Sequence, residues 1–372
     1  MRRRSTLFGL GATALLAIGA AGPVAAASPD AHAGAVYTLS NLAGGNSVVA
    51  FSRSDNGALS PLGTYPTGGL GAGAGLGSEG SVVLSHDGRF LLAVDAGSDS
   101  ITSFRVGKSG ALSWADRVPS GGDNPISVTT NGRLVYAVNS GGAGDIAGFR
   151  IDRRGHLAAI PGSARPLSGS GTGPAEIAFA PDGGALVVTE KNTNQVLGYD
   201  VREDGTTSGP NVSASAGMTP FGFAFDPRGH AIVSEASGGA PGASTVSSYG
   251  LSASAHVSVI DGPDATGQGS ACWAATTPNG RFAYIANTGS ATVTGFSIRG
   301  DGSLEMLDAN GVTGTTGAAP SDLHTSANGA YLYVLNGGSD SLSAFRVAKD
   351  GHLTSITGVS GLPAPGVGLA AS

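Results

Sequence analysis

One short pattern recurs seven times along this chain and constrains its fold more than any other feature. It consists of a β-branched residue or Leu, then any residue, then a small residue, then an aromatic. It occurs at Val48–Phe51, Ile101–Phe104, Ile146–Phe149, Val196–Tyr199, Val246–Tyr249, Val293–Phe296 and Leu342–Phe345. Successive aromatics lie 53, 45, 50, 50, 47 and 49 residues apart. A period of about 40–50 residues is that of a four-stranded propeller blade.

The surroundings of each aromatic repeat as well. An Asx-Gly turn followed by an apolar run precedes it, as in Asp87-Gly88 before Phe90–Val94 and Asn279-Gly280 before Phe282–Ala286. Asx-Gly between apolar runs is a strong hairpin signal, because both turn residues must adopt positive φ. A second turn with Gly-x-Leu follows, as in Gly110-Ala111-Leu112 and Gly351-His352-Leu353. Each unit therefore reads as four antiparallel strands, and the high glycine content, 63 residues of 372, is turn punctuation. Apolar residues on both strand faces fit blades covered on both sides, with the recurrent aromatic filling the space between blades.

The pattern predicts an all-β, seven-bladed propeller over residues 34–372. Only one strand, Val36–Leu39, precedes the first aromatic strand, so blade one lacks its innermost strand. The C-terminal Gly366–Ser372 resembles the inner strands Ser81–Ser85 and Ile177–Ala180, and is expected to fill that place and close the ring. Closure removes sheet edges that would otherwise invite aggregation.

Residues 1–33 read as a signal peptide and processing region. Arg2–Arg4 form a basic start, Leu7–Ala21 an apolar stretch, and Ala25–Ala27 or Ala31–Ala33 offer cleavage sites. Arg3-Arg4 also fits a twin-arginine signal weakly, and an uncleaved anchor is the alternative. Secretion is the expectation, with no membrane attachment after cleavage. Removing Arg2–Arg4 from the 20 basic residues leaves 17 against 26 acidic ones, a net charge of −9. Such a chain has no electrostatic footprint for nucleic acid. Its single cysteine, Cys272, allows no internal disulfide; burial is its expected state.

In an up-and-down blade, strand one begins on the rim where strand two ends. Those positions from all blades converge on one mouth of the central channel. The ends of strand two read Asn41, Asp95, Asn139, Glu190, Glu235, Asn287 and Asn336, all Asp, Asn or Glu. They either tie down their own loops or form a polar ring for a ligand. The starts of strand one add Glu79, Glu176, Trp273 beside Cys272, and Asp322. Of the histidines, only His324 falls within an inner strand. Metal-binding, Walker-type and Gly-x-Ser-x-Gly motifs are absent, so neither metal nor cofactor is expected. Asp99 and Asp340, in Gly-Ser-Asp-Ser loops, read as plain turns ahead of calcium contacts.

The repeat as a whole resembles the lactonase-family seven-bladed propellers, the group of bacterial 6-phosphogluconolactonase and fungal carboxymuconate cyclase. Ser85–Val94 and Ala330–Asn336 carry the resemblance. Ser321–Ser326 is similar to a family inner strand reading Ala-Glu-Ile-His-Val-Ser, with Asp322 in place of Glu and His324 retained. The family's Arg one strand later is replaced by Gly337, after Asn336. Gly173–Glu176 resembles the family's Gly-Pro-Arg-His with both functional residues changed. Thr189-Glu190 stands for its Asn-Glu, and Asn124–Ser127 for its Pro-His-Ala-His.

The resemblance implies a hydrolase opening a lactone at the channel mouth, with Glu190 or Asp322 as base and His324 as donor. Glu79, Asp95, Asn139, Glu176, Glu235, Trp273, Asn287 and Asn336 are the candidate ligand contacts. The missing arginines point to a neutral lactone and leave no obvious oxyanion partner. The alternative is a non-catalytic secreted propeller that binds a small molecule or protein through its rim. A muconate-type cyclase fits less well, because its anionic substrate would meet a negative mouth. A monomer is expected.

Overall fold

At the Asx-Gly turns the glycine alone adopts positive φ and the Asx before it does not, in contrast to the two-residue turn that the motif predicts. Gly88, Gly132, Gly183, Gly280 and Gly329 all adopt positive φ and reverse the chain between an inner strand and the second strand of the same blade. In this computed structural model, residues 33–372 are described. They form seven antiparallel sheets, each built on a four-strand path. Residues 1–32, where the sequence leads one to expect a signal peptide and which include His32, lie outside the described residues.

Inner strands are Val367–Ala371 in blade one, Val82–Leu84 in blade two, Pro125–Thr130 in blade three and Pro174–Phe179 in blade four. Those of blades five to seven are Pro220–Phe225, Ala271–Thr276 and Pro320–Thr325. Each touches its two neighbours, so they form a closed circle around a central channel. The C-terminal strand pairs with Gly34–Leu39, with Val36 opposite Ala371 and Leu39 opposite Val367. The first described strand and the C-terminal strand thus meet in blade one, as the sequence predicts.

The recurrent aromatics fill the space between blades: Phe51, Phe104, Phe149, Tyr199, Tyr249, Phe296 and Phe345 are all buried. A second fastening was not legible in the motif. Tyr37, Tyr136, Tyr284 and Tyr333 on second strands donate their hydroxyls to the carbonyls of Gly110, Gly205, Gly351 and Gly57, at 2.6–2.8 Å. Each acceptor is the turn glycine of the following blade, so the turn that ends one repeat locks the one before it. Buried in this way, these hydroxyls are satisfied and add direction to an otherwise apolar contact.

Inner strands are not regular. In blades three to seven the pairing slips near the start, between Pro125 and Ser127, Pro174 and Glu176, Pro220 and Phe223, Ala271 and Trp273, and Pro320 and Asp322. A bulge of this kind re-aims the side chains that follow it. It creates a ring of equivalent positions at one end of the channel, occupied by Ser81, Ser127, Glu176, Gly222, Trp273, Asp322 and Gly368.

Candidate active site

Pro125, Pro174, Pro220, Ala271 and Pro320 pair with Asn139, Glu190, Glu235, Asn287 and Asn336. Starts of strand one and ends of strand two therefore do share a rim. The strand-two ends nevertheless spend their side chains on architecture. Asp95 accepts from Asn46 at 3.0 Å, Thr67 at 2.6 Å and Thr102 at 2.7 Å. Glu190 accepts from the Ser168 amide at 3.0 Å, the Ser168 hydroxyl, and Thr193 Oγ1 at 2.7 Å. Glu235 gathers the Gly217 amide and the hydroxyls of Ser215, Thr245, Ser247 and Tyr249.

Asn139 donates to Asp145, Asn287 to Thr292 and Thr294, and Asn336 to Ser341 and Ser343. All six residues are fully buried. Asn41 holds the following loop through Ala72 and Ala74. None of these residues lines the channel cavity, so Glu190 is not placed beside Asp322 and His324.

The same rim is crossed by a strap. Residues 77–80, which precede the inner strand of blade two, leave that blade and run over the channel. The Glu79 amide donates to the Ala175 carbonyl in blade four at 3.0 Å, and the Val128 amide in blade three donates to the Gly80 carbonyl at 2.8 Å. Ser78 Oγ donates to Ile126 in blade three at 2.9 Å, and Trp273 Nε1 in blade six donates to the Ser78 carbonyl at 3.3 Å. Trp273 also packs on Phe221, with ring centroids 5.3 Å apart, so its ring belongs to the strap's seat. Lys191 Nζ donates to the Gly77 carbonyl and sits 4.6 Å from the Phe221 ring centre. Its burial pushes the ammonium down to about 8.

Glu79 reaches furthest. Its carboxyl accepts the Ala274 amide of blade six at 3.1 Å and fills the space beside Gly222 in blade five. A Cβ on Gly222 would lie 1.8 Å from Glu79 Oε2, so glycine at that ring position is what admits the strap. The Gly-rich stretch before it, read as an inter-blade loop, thus carries the chain across the channel.

Beneath the strap lies a cavity of about 320 Å³, and four of the expected site residues line it: Glu79, Glu176, Asp322 and His324. The three carboxyls form one cluster. Glu79 and Glu176 lie close enough to share a proton, and Glu176 repels negative charge on both Glu79 and Asp322. Burial, more than repulsion, raises all three: Glu79 and Asp322 well above the carboxylate range, Glu176 to about 8. The Phe223 amide donates to Glu176 at 2.6 Å and limits its shift. Asp322 is 1% exposed, and its Oδ2 has no partner. At neutral pH these groups are carboxylic acids, able to donate hydrogen bonds into the cavity.

His324 stands two residues beyond Asp322 on the same face of the strand, about 7 Å along it. Its Nδ1 lies 2.7 Å from the Thr325 carbonyl. A carbonyl only accepts, so Nδ1 carries the proton and Nε2 is left as an acceptor facing the cavity. Solvent in the channel reaches the ring, yet protein encloses it, and this lowers its pKa below the usual imidazole value; the Thr325 carbonyl opposes that shift. Burial falls along the channel, from Asp322 and Glu176 to half-buried Thr130, Phe225 and Thr276 and exposed His324. The cavity therefore opens at the hairpin end, away from the rim where the sequence placed the mouth.

Cys272 is buried, and its thiol is pushed up to about 11 by that burial. Among the described residues no group of three or more His, Cys, Asp or Glu has the geometry of a metal site. Asp99 and Asp340 sit at left-handed turn positions.

With this geometry established, comparison with known proteins is informative. The model of the family described as lactonase, 7-bladed beta-propeller, matches residues 28–164 and 274–362. The chain belongs to that family. The match takes in Glu79, Asp322 and His324 and omits Glu176. A search of curated protein sequences finds no match.

Among solved structures, this lactonase-family propeller is similar to a Bacteroides fragilis protein provisionally described as a 6-phosphogluconolactonase. Identity is 20%, the alignment covers 93% of this chain and 100% of that one, and the TM-score is 0.73. It is also similar to the periplasmic gluconolactonase of Pseudomonas aeruginosa, at 19% identity, with 90% and 99% covered and a TM-score of 0.70. A functionally unknown protein from Desulfotomaculum acetoxidans matches at 14% identity, with 91% and 98% covered and a TM-score of 0.70. At these identities the likeness is one of fold.

Proposed function

We propose that this propeller hydrolyses a neutral lactone inside the central channel, between Asp322 and His324. The observation that carries the reading is the pairing of a buried, unpartnered carboxyl oxygen with an imidazole whose Nε2 is free, on one face of one strand. His324 Nε2 takes a proton from water as the water oxygen attacks the lactone carbonyl carbon. The protonated Asp322 carboxyl hydrogen-bonds to the oxygen that becomes negative, a role usually filled by amides or cations. The imidazolium then returns its proton to the ring oxygen as the carbon–oxygen bond breaks, giving a hydroxy acid. These roles differ from the sequence-based expectation: His324 is the base, Asp322 the donor, and Glu190 stands outside.

Charge supports neutrality of the substrate. No Lys or Arg lines the cavity, so a phosphorylated or carboxylated lactone has no partner there. The hydroxy-acid product ionises in a cavity that offers it no cation, which favours its departure. Leader-like residues before the propeller support an exported protein, working outside the cytoplasm as a monomer.

The test is hydrolysis of a panel of neutral γ- and δ-lactones by the wild type and by His324→Ala, Asp322→Asn and Glu190→Gln. Turnover that is lost in the first two and kept per folded molecule in the third supports the reading. Background rates across the panel would leave a ligand-binding propeller in its place.

A further inference from the structure

Beyond His324 the channel widens into a vestibule of about 500 Å³, which shares Thr130, Phe179, Phe225 and Thr276 with the inner cavity. Its outer wall is made by the turns between first and second strands. Pro181, Pro227 and Pro278 occupy equivalent turn positions in blades four, five and six. Phe225 is half-buried there and stands edge-on to Phe223, with centroids 5.7 Å apart.

The threonines of this passage look polar in the sequence, but their hydroxyl protons are already used. Thr130 donates to the Leu134 carbonyl at 2.8 Å, Thr276 to Phe225 at 2.7 Å and Thr325 to Thr276 at 2.9 Å. Thr277 donates to Asn279 Oδ1 at 2.8 Å. Asp226, at the rim, is held by Arg228 and His230. What remains for a ligand is rings, proline faces and methyl groups, with His86 and Asn131 at the outermost edge. A polyhydroxylated chain would find few donors here and only scattered acceptors such as the Thr276 oxygen, so it would recover little of its lost hydration, whereas a hydrocarbon chain would gain by leaving water.

We propose that the substrate is a lactone bearing an aliphatic or aryl arm, with the ring beside Asp322 and His324 and the arm lying outward between Phe179, Phe225 and the turn prolines. This inference rests on the channel reading above and adds a substrate class to it. Sugar lactones are then poor substrates, although the printed names of two similar structures refer to them.

The experiment compares kcat/KM for δ-valerolactone, its pentyl-substituted form δ-decalactone, and glucono-δ-lactone. It is paired with calorimetric binding of the two corresponding lactams, which are not hydrolysed. Each buried methylene favours the alkyl form about fourfold, so an arm that buries three gives a preference of ~60-fold. Phe225→Ser should bring that ratio close to one, lowering kcat/KM for δ-decalactone far more than for δ-valerolactone. Pro181→Asp, on an exposed turn, should reduce the ratio even if the Phe225 variant fails to fold.

A flat ratio, or preference for the sugar lactone, would overturn the arm while leaving the hydrolase standing. Tighter binding of the alkyl lactam with no turnover of any lactone would do the reverse. No turnover and no lactam binding would sink both.

Discussion

The two ends of the channel are built from the same repeat and have opposite fates. At the rim where inner strands begin, Asp95, Glu190, Glu235, Asn139, Asn287 and Asn336 are consumed by loop and strand contacts, and the 77–80 strap lies across the opening. At the hairpin end, the turn residues Pro181, Pro227 and Pro278 are exposed, and the channel stays open past His324. A ring of acidic and amide side chains at a propeller mouth is therefore weak evidence for a ligand. An unpartnered buried oxygen does not by itself separate the two ends, since Asn139, Asn287 and Asn336 each leave Oδ1 without a partner; Asp322 differs in that its carboxyl lines the channel cavity.

This contrast can be broken by mutation. The largest effect expected is from His324→Ala at the open end, a loss of roughly 10²–10⁴ in kcat/KM for a neutral lactone with the unfolding midpoint unchanged. Steady-state kinetics beside a thermal melt checks both halves. Glu235→Ala at the closed end should do the opposite. It strips the partner from one amide and four hydroxyls, costs about 3–5 kcal/mol of stability in denaturant titration, and leaves turnover per folded molecule intact.

Smaller effects should follow at the strap. Glu176 has an ordinary value of 4.5 and one of about 8 in the fold. Between those values the folded chain keeps a proton that the unfolded chain releases, so stability falls as pH rises through this window, and the penalty is complete above about 8. Glu176→Gln should reduce the slope, leaving the part due to Glu79 and Asp322, and raise stability at pH 8 by about 2–4 kcal/mol, read as a pH series of melts. Gly222→Ala pushes a methyl group onto the Glu79 carboxyl and the Cys272 carbonyl, and should cost ~1–3 kcal/mol. A Gly222→Ala protein as stable as wild type would mean that the strap does not seat there.

Much of the fold was legible because its determinants are local and repeated: the aromatic tetrapeptide, the Asx-Gly turns and the strand-like tail. Convergence of strand starts was legible too, and it brought Glu79, Glu176, Asp322 and His324 into view. Glu190 could not be told from Glu176, since its donors Ser168 and Thr193 come from loops whose paths no motif fixes. The strap was hidden because glycines carry no side-chain pattern, leaving only Glu79 as its trace. The apolar outer channel was hidden for another reason. Phe179 and Phe225 read as ordinary strand residues, and threonine hydroxyls look free until their acceptors are located.

The pH profile of kcat/KM on a neutral lactone tests the central claim most directly. With neutral His324 as base and protonated carboxyls as donors, the rate should fall with acid below the ordinary imidazole range, in a limb that His324→Gln abolishes, and should fall again on the alkaline side as the buried carboxyls ionise. An activity that rises through pH 4–5 and then holds level past pH 9, with His324→Gln unchanged, would show an ordinary carboxylate at work and contradict the channel site.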